Sequence, residues 1–295
     1  MKQVKKHAIC IQCHNKPEQI NYLINKLYKN HFDFYIHIDK KSCIQGELIH
    51  AENVFFVPKC DVRWGQFSQV EATLSLFGAI DYSKYNYVHL ISGNDYLIKS
   101  EEYFLNFFDK NQGNEFIESN ELGMGKCTWT WGGEERFLLY YPQWMIQRPS
   151  RKLYHVIRVA YREFVMRTGI FKRKNLPVRT FYGGSSWFSL ISECVCWMMD
   201  YIDKHIEYKD FFRHGLCSDE IFFSTLVRQG PFADRIVNEN LRYMDWMNTD
   251  KNGGPKVLTV DDISSMGHSN DVFARKFASI DVIKQVDKIL CGEKS

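Results

Sequence analysis

The chain has 295 residues, of which 45% are hydrophobic and 15% aromatic, enough to build a large buried core. This composition excludes a disordered, a collagen-like and a coiled-coil chain. Nine Cys at scattered spacings do not form the dense framework of a small secreted domain, and their odd number predicts free thiols in a reducing, intracellular compartment.

The formal net charge of +3 conceals an uneven distribution. Between residues 144 and 180 there are ten Lys and Arg and one acid, Glu163, whereas the rest of the chain has 28 basic and 34 acidic side chains. The basic N-terminus is followed by about seven mostly apolar residues, too few for a signal peptide, and no other stretch has the length of a transmembrane span. We expect a cytoplasmic protein, or one bound peripherally to the inner membrane face.

The first hundred residues alternate between two periods, as expected of strands joined by crossover helices. Apolar runs predict strands at 7–13, 34–38, 53–57 and 87–91. Asn15 is a predicted helix N-cap, because Pro17 follows it in the first turn and apolar residues then recur at helical spacing as far as Leu27. A second helix is predicted at 67–80.

After Ser100 the pattern is less regular. We predict strands at 115–118 and 185–190, helices at 193–205, 221–227 and 280–289, and a Trp/Gly-rich loop at 128–133. A basic amphipathic segment occupies about 145–180. One helical face of it would carry Leu153, Val156, Ile157, Ala160, Tyr161 and Phe164, and another Arg151, His155, Arg158 and Arg162. No repeat or linker divides the chain, so residues 1–295 are expected to form one α/β domain, with this segment as an insertion.

Polar residues follow three of the predicted strands. His14 and Asn15 end the first strand, Asp39 ends the second, and Asn94 and Asp95 end the fourth. Ligands bind outside the carboxyl ends of parallel strands, so the three sites together predict a crevice, although each alone is typical of an ordinary turn. A Gly-rich phosphate-binding loop is missing, which disfavours kinases, ATPases and dehydrogenases.

The sequence Ser218-Asp219-Glu220 precedes an apolar run. Ser218 fits a helix N-cap, and two acids in the first turn suit the helix dipole, so the segment could simply be a helix start. A carboxylate at this position is also well placed to act as a general base. No Asp-x-Asp pair is present to hold a divalent ion, so a diphosphate leaving group would need fixed cations instead of a metal.

Seven short motifs occur in order along nearly the whole chain. They are the strand ending in His14, His37-Ile38-Asp39-Lys40, Trp64 with Ser68, Ser92-Gly93-Asn94-Asp95 with Lys99, Gly184-Ser185-Ser186-Trp187-Phe188, Ser218-Asp219-Glu220, and Phe273-Ala274-Arg275-Lys276-Phe277. As an ordered set they resemble the core-2/I-branching N-acetylglucosaminyltransferase family, glycosyltransferase family 14, which includes the protein xylosyltransferases.

The resemblance implies a GT-A-like fold and an inverting, metal-independent transfer of a sugar from a UDP donor to a hydroxyl of a glycan acceptor. N-acetylglucosamine is the expected sugar. A UDP-xylose or UDP-galactose donor is an alternative, and so is a non-catalytic carbohydrate-binding or membrane-associated module. The UDP-sugar would be a co-substrate, and no further cofactor or metal is expected.

The resemblance also implies roles for individual residues. Glu220 would be the catalytic base. The donor-binding residues would be His14, Asp39, Asp95, Lys256 and Lys276, and the acceptor-binding residues Glu118, Arg136 and Trp246. Within these sets, Lys276 and Lys256 would neutralise the diphosphate, and Asp39 would contact uracil.

The basic residues at 148–179 have no counterpart in the family pattern. A basic amphipathic helix predicts peripheral binding to an anionic membrane, which would suit a lipid-linked glycan acceptor. The alternative is a basic surface helix packed on its own domain. No nucleic-acid partner is expected, because no recognised binding motif accompanies the charge.

Overall fold

The computed structural model describes residues 6–27, 30–146, 151–250 and 253–292, so positions 147–150 of the basic segment lie outside the described residues. The strands are β1 (Lys6–Cys13), β2 (Phe32–Ile38), β3 (Val54–Phe56), β4 (Tyr85–Ser92), β5 (Tyr96–Leu97), β6 (Glu115–Phe116), β7 (Asn120–Glu121), β8 (Tyr182–Gly183), β9 (Phe188–Ile191), β10 (Ile236–Val237), β11 (Arg242–Tyr243) and β12 (Phe273–Ala274). The helices are α1 (Pro17–Lys26), α2 (Ser68–Phe77), α3 (Glu101–Lys110), α4 (Glu135–Leu138), α5 (Lys152–Thr168), α6 (Ser192–Lys204), α7 (Ile206–Phe212), α8 (Phe222–Gln229), α9 (Ile263–His268) and α10 (Ile280–Leu290).

Seven of these strands form one sheet in the order β10-β6-β9-β4-β1-β2-β3. The neighbours β3, β2, β1 and β4 are parallel, and β9 runs antiparallel between β4 and β6. The predicted α/β fold, with a mostly parallel central sheet flanked by helices, is confirmed.

Helices cover both faces of this sheet, which explains why its central strands are continuous apolar runs. All residues of β2 are buried. On one face, Gln12 of β1 donates a hydrogen bond to Thr73 of α2 over 2.7 Å. On the other face, the ring of His7 packs on Phe104 and Phe108 of α3, with centroids 5.1 and 5.6 Å apart.

The parallel register decides which residues meet at the edge of the sheet. Cys13 of β1 pairs with Ile38 of β2, and Gln12 pairs with Ser92 of β4. Three strands therefore end side by side. A small sheet, β11-β12-β5, adds further backbone beside the end of β4.

The start of α1 differs from the prediction. Asn15 is not the N-cap, because the helix begins at Pro17 and Lys16 occupies the capping position without a side-chain cap. Lys16 has a left-handed φ of 55°, and its ammonium donates to the carbonyl of Phe277 over 2.8 Å. This turn therefore joins the end of β1 to a distant part of the chain, which a local capping pattern does not reveal.

Two strands are shorter than predicted. β6 ends at Phe116, two residues early, and β9 begins at Phe188, three residues late. The backbone N–H of Ser185 donates to the carboxylate of Glu118 over 2.9 Å instead of joining the sheet. The residues released from both strands line the edge at which β1, β2 and β4 end.

Helix α5 packs only in part by the face that the apolar pattern indicates, since Ile157 and Tyr161 of that face pack on a small core. Its buried residues are Val165, Met166 and Arg158, the last only 7% exposed. Leu153 and Phe164, which the pattern places on the apolar face, are 68% and 50% exposed. None of the described helices is long and apolar enough to cross a membrane.

Burial of Glu115 at the start of β6 makes stability depend on pH. One carboxyl oxygen accepts a hydrogen bond from the backbone N–H of Ile191 over 2.9 Å, and burial raises the pKa of Glu115 to about 8. An unfolded chain ionises this carboxyl near pH 4.3, so the contribution of Glu115 to the free energy of unfolding falls as pH rises from there to about 8.

We therefore expect Glu115→Gln to raise the Tm more near pH 8 than near pH 5, because the amide keeps an acceptor oxygen and has no charge to desolvate. Thermal unfolding at both pH values measures this difference. Glu102→Gln, at an exposed position of α3, is the control. A Tm gain that is equal at both pH values would contradict the burial argument.

Candidate active site

The turns after β1, β2 and β4 lie next to one another. The backbone N–H of Asp39 donates to the carbonyl of Cys13 over 2.9 Å, and that of Gly93 donates to Gln12 over 2.9 Å. His14 is exposed at the end of β1. The sequence-based grouping of His14 with Asp39 at one edge of the sheet agrees with this geometry.

The carboxylate of Asp39 has a fixed orientation. It accepts a hydrogen bond from the backbone N–H of Lys41 over 3.0 Å and pairs with the Lys41 ammonium over 3.2 Å. Lys41 in turn pairs with Asp61 over 2.5 Å. Asp39 is 9% exposed, so only a small part of the residue faces the crevice.

Asp95 is engaged by the protein on several sides. Its carboxylate accepts from the hydroxyl and the backbone N–H of Ser92, over 2.5 and 3.0 Å, and lies 3.3 Å from the guanidinium of Arg275. Arg275 stacks 4.6 Å from the ring centre of Trp187. Asp95 thus anchors the segment in which Lys276 follows Arg275.

Two lysines meet beside the end of β1. Lys276 forms an ion pair with Asp250 over 2.7 Å. Lys16 donates to the backbone carbonyl of Phe277, and burial, together with the nearby charge of Lys276, lowers the pKa of Lys16. Sequence reasoning missed Lys16; the signal was its place in the turn directly after β1.

Lys256, the other predicted diphosphate ligand, has a different neighbour. Its ammonium lies 2.6 Å from the carboxylate of Asp262 at the start of α9. Asp262 also accepts from Thr259, in a capping box. Lys256 therefore pairs with a residue of the 3-10 turn before α9, Val260–Asp262, and it is Lys16 whose pKa responds to Lys276.

Glu220 lies in a short 3-10 turn, Ser218–Glu220. Ser218 is not the N-cap that the sequence predicts, because its hydroxyl donates to the carbonyl of Phe212 over 2.7 Å. The carbonyl of Glu220 accepts from the backbone N–H of Gly184 over 3.0 Å. The turn is therefore tied to the segment that precedes β9.

The carboxylate of Glu220 forms an ion pair with Arg136 through its Oε2 atom. The guanidinium of Arg136 stacks 3.8 Å from the ring centre of Trp129. Burial opposes the charge of Arg136, but the Glu220 carboxylate outweighs it and raises the pKa of the guanidinium. Glu220 is about one-third exposed, with 32% of its side-chain surface accessible, so this carboxylate remains open to a ligand.

Glu118 lies close to the Glu220 turn. Its two oxygens accept from the backbone N–H of Ser185 over 2.9 Å and from the amide of Asn240 over 2.7 Å. Burial raises the pKa of Glu118. A Cβ atom at Gly184 would lie 2.4 Å from that of Glu118, so only glycine lets these two segments approach so closely.

Asp219 provides a second carboxyl in the same turn as Glu220. It accepts from the hydroxyl of Ser186 over 2.6 Å, and burial and the charge of Glu220 raise the pKa of Asp219 to about 6. The two acids of the turn therefore have different surroundings. Asp219 fastens the turn to the segment before β9, and Glu220 reaches Arg136 and the solvent.

Trp246 projects from the loop after β11 and is 56% exposed, as a sugar-stacking side chain would be. Asp245 holds this loop by accepting from the backbone N–H of Met247 over 2.9 Å. Among the residues that the structure describes, no three His, Cys, Asp or Glu side chains are grouped as metal ligands would be.

Comparison with known proteins adds an independent line of observation. A family model described as Core-2/I-Branching enzyme matches residues 13–267, which is most of the chain. Xylosyltransferase 2 of Mus musculus is 25% identical over 240 residues, covering 77% of this chain and 25% of the relative. Beta-glucuronosyltransferase GlcAT14A of Arabidopsis thaliana is 31% identical over 124 residues, covering 40% of this chain and 26% of the relative.

The chain spans about a quarter of the length of these relatives. Among solved structures, the mannosyltransferase Ktr4p from S. cerevisiae matches with a TM-score of 0.35 and 11% identity, covering 76% of this chain and 65% of the other. The family model includes the ends of β1, β2 and β4 and the Glu220 turn, and the chain belongs to the Core-2/I-branching enzyme family.

Proposed function

We propose that this chain is an inverting glycosyltransferase that moves a sugar from a UDP donor to a hydroxyl of a glycan acceptor, with Glu220 as the general base. The observation that carries the proposal is the partly exposed Glu220 carboxylate, fixed by Arg136 at the edge where the parallel strands end. That edge is where ligands of open α/β sheets bind.

Glu220 supplies the step that a neutral alcohol cannot perform alone. A carboxylate within hydrogen-bond reach takes the proton of the acceptor hydroxyl while the oxygen of that hydroxyl attacks the anomeric carbon. Arg136 pairs with Oε2, so Oε1 is the oxygen assigned to the acceptor. Attack from the face opposite the leaving UDP inverts the anomeric configuration.

Protein cations stabilise the departing diphosphate in this proposal. Negative charge grows on the leaving group as the glycosidic bond breaks, and cations that are already in place stabilise it without reorganisation. Lys276 and Lys16 fit this role because both lie beside the end of β1, where burial, together with the charge of Lys276, lowers the pKa of Lys16. Asp250 would give up its pairing with Lys276 when the diphosphate binds. Metal independence remains part of the proposal.

The other predicted site residues differ in the observations that support their roles. Asp39 and His14 lie side by side where β1 and β2 end, which supports assigning uracil to this position. Asp95 supports Lys276 through Arg275, which favours a positioning role. Glu118 already has protein donors on both oxygens, so it is better suited to hold the Ser185 backbone than to bind a sugar directly.

The donor sugar is the least constrained part of the proposal. N-acetylglucosamine remains the first choice, with xylose and galactose as alternatives. Because relatives are named xylosyltransferase and beta-glucuronosyltransferase, UDP-xylose and UDP-glucuronic acid should both be assayed as donors. Slow hydrolysis of one UDP-sugar would separate an enzyme from a non-catalytic carbohydrate-binding module.

We expect Glu220→Gln to lower kcat by about 10²- to 10⁴-fold and to change the KM for the donor little, because the amide keeps the shape but accepts no proton. Transfer kinetics with the preferred UDP-sugar measure this. Glu102→Gln, on the exposed surface of α3, is the matched control and should retain full activity. Near wild-type kcat in Glu220→Gln would refute the assignment.

The two lysine assignments can be separated by matched substitutions. We expect Lys276→Gln and Lys16→Gln each to lower kcat/KM by about tenfold or more, because each removes a positive charge from the leaving group. Lys256→Gln should cost less activity and instead lower the Tm, since its partner is Asp262. Steady-state kinetics and thermal unfolding of the three variants test this. A larger kinetic loss in Lys256→Gln than in Lys16→Gln would reverse the assignment.

A further inference from the structure

Helix α5 carries a stripe of exposed apolar side chains. Leu153, Val156 and Phe164 are 68%, 62% and 50% exposed, and Ala160 between them is exposed too. At about 100° per residue, these four positions lie within about 80° of the helix circumference. They form one continuous strip along the helix.

Two further exposed apolar side chains follow the end of the helix. Gly169 ends α5 in a left-handed conformation, with φ 72°. Ile170 and Phe171 follow directly and are 50% and 73% exposed. We call these six residues, the four on α5 and the two after it, the α5 strip. Contiguous exposed apolar surface of this kind marks an interaction site.

Contacts on the opposite side of α5 keep the strip facing outward. Val165 and Met166 are buried in a separate small core that also contains Tyr141. The guanidinium of Arg158 lies 5.5 Å from the ring centre of Trp64. Because the opposite side of α5 makes these contacts, the helix cannot bury the strip by rotating in place.

Exposed cations occur in the same segment of the chain as the α5 strip. Arg151, Lys152, Arg167, Lys174 and Arg179 are all exposed. Residues 151–179 contain nine Lys and Arg and a single acid, Glu163. That acid pairs with Arg162 over 2.8 Å and with Arg167 over 3.2 Å, so its charge is compensated locally.

We propose that the α5 strip binds the surface of an anionic lipid bilayer. Apolar side chains on a helix that lies in the plane of the membrane enter the boundary between headgroups and acyl chains, while flanking Lys and Arg contact anionic headgroups. The combination of an apolar strip with exposed cations in the same segment is the chemistry that such a surface recognises. A second copy of this chain fits less well, because apposed α5 strips would bring like charges together.

The contacts of α5 relate this surface to the candidate active site. Glu163 accepts a hydrogen bond from the indole of Trp131 over 3.1 Å. Trp131 lies in the loop that leads from Trp129, on which Arg136 stacks. Docking through α5 therefore brings the acceptor side close to the bilayer. This last step rests on the proposed function, and the acceptor class that it indicates is a glycan carried on a lipid.

Flotation of the purified chain with vesicles tests the docking. One set of vesicles contains phosphatidylcholine alone and the other contains phosphatidylcholine mixed with phosphatidylglycerol. We expect the chain to float with the mixed vesicles only, and salt to release it. The double variant Val156→Glu/Phe164→Glu should lower the bound fraction about tenfold or more. Ile289→Glu, at a 60% exposed position on α10, is the matched control and should bind as the wild type does.

Three outcomes would overturn the proposal: no flotation with the mixed vesicles, equal flotation with both sets, or binding that the double variant leaves unchanged. If the wild type binds no lipid but forms a dimer, and the double variant is a monomer, the strip would be assigned to contact with a second copy. Transfer to a water-soluble acceptor should be unchanged in the double variant. Flotation of a wild type that transfers no sugar would uphold the docking and reject the proposed function.

Discussion

The parallel register of β1 with β2 and β4 is the constraint on which the candidate site depends. Because Cys13 pairs with Ile38 and Gln12 with Ser92, three turns open at the same edge of the sheet. The proposed donor-side residues, which are far apart in the chain, become neighbours there. The helices on both faces keep these strands buried, so the edge is held by the buried core of the protein.

The antiparallel strand β9 brings the acid chemistry to the same edge. Its N-terminal end lies where β4 ends, and the segment before it contacts both Glu118 and the Glu220 turn. Gly184 is necessary for this closeness, since a Cβ atom there would collide with Glu118. The proposed base, Glu220, and one proposed cation, Lys276, thus come from the second half of the chain and the other cation, Lys16, from the first.

The sequence predicted the sheet better than the site. Apolar runs located β1, β2 and β4 because buried strands have a clear pattern. The role of Lys16 and the partner of Glu220 were beyond reach, since each depends on a tertiary neighbour rather than on local spacing. The amphipathic spacing predicted α5, for example, but it placed Arg158 on the polar face, whereas this side chain is buried beside Trp64.

The stereochemistry of transfer tests the central claim most directly. The product formed from an α-linked UDP-sugar in the presence of EDTA can be followed by proton NMR, which reports the configuration at the anomeric carbon. A single displacement assisted by Glu220, with lysines in place of a metal, predicts a β-linked product that forms at the same rate with and without chelator. An α-linked product, or transfer that stops in EDTA, would contradict the account.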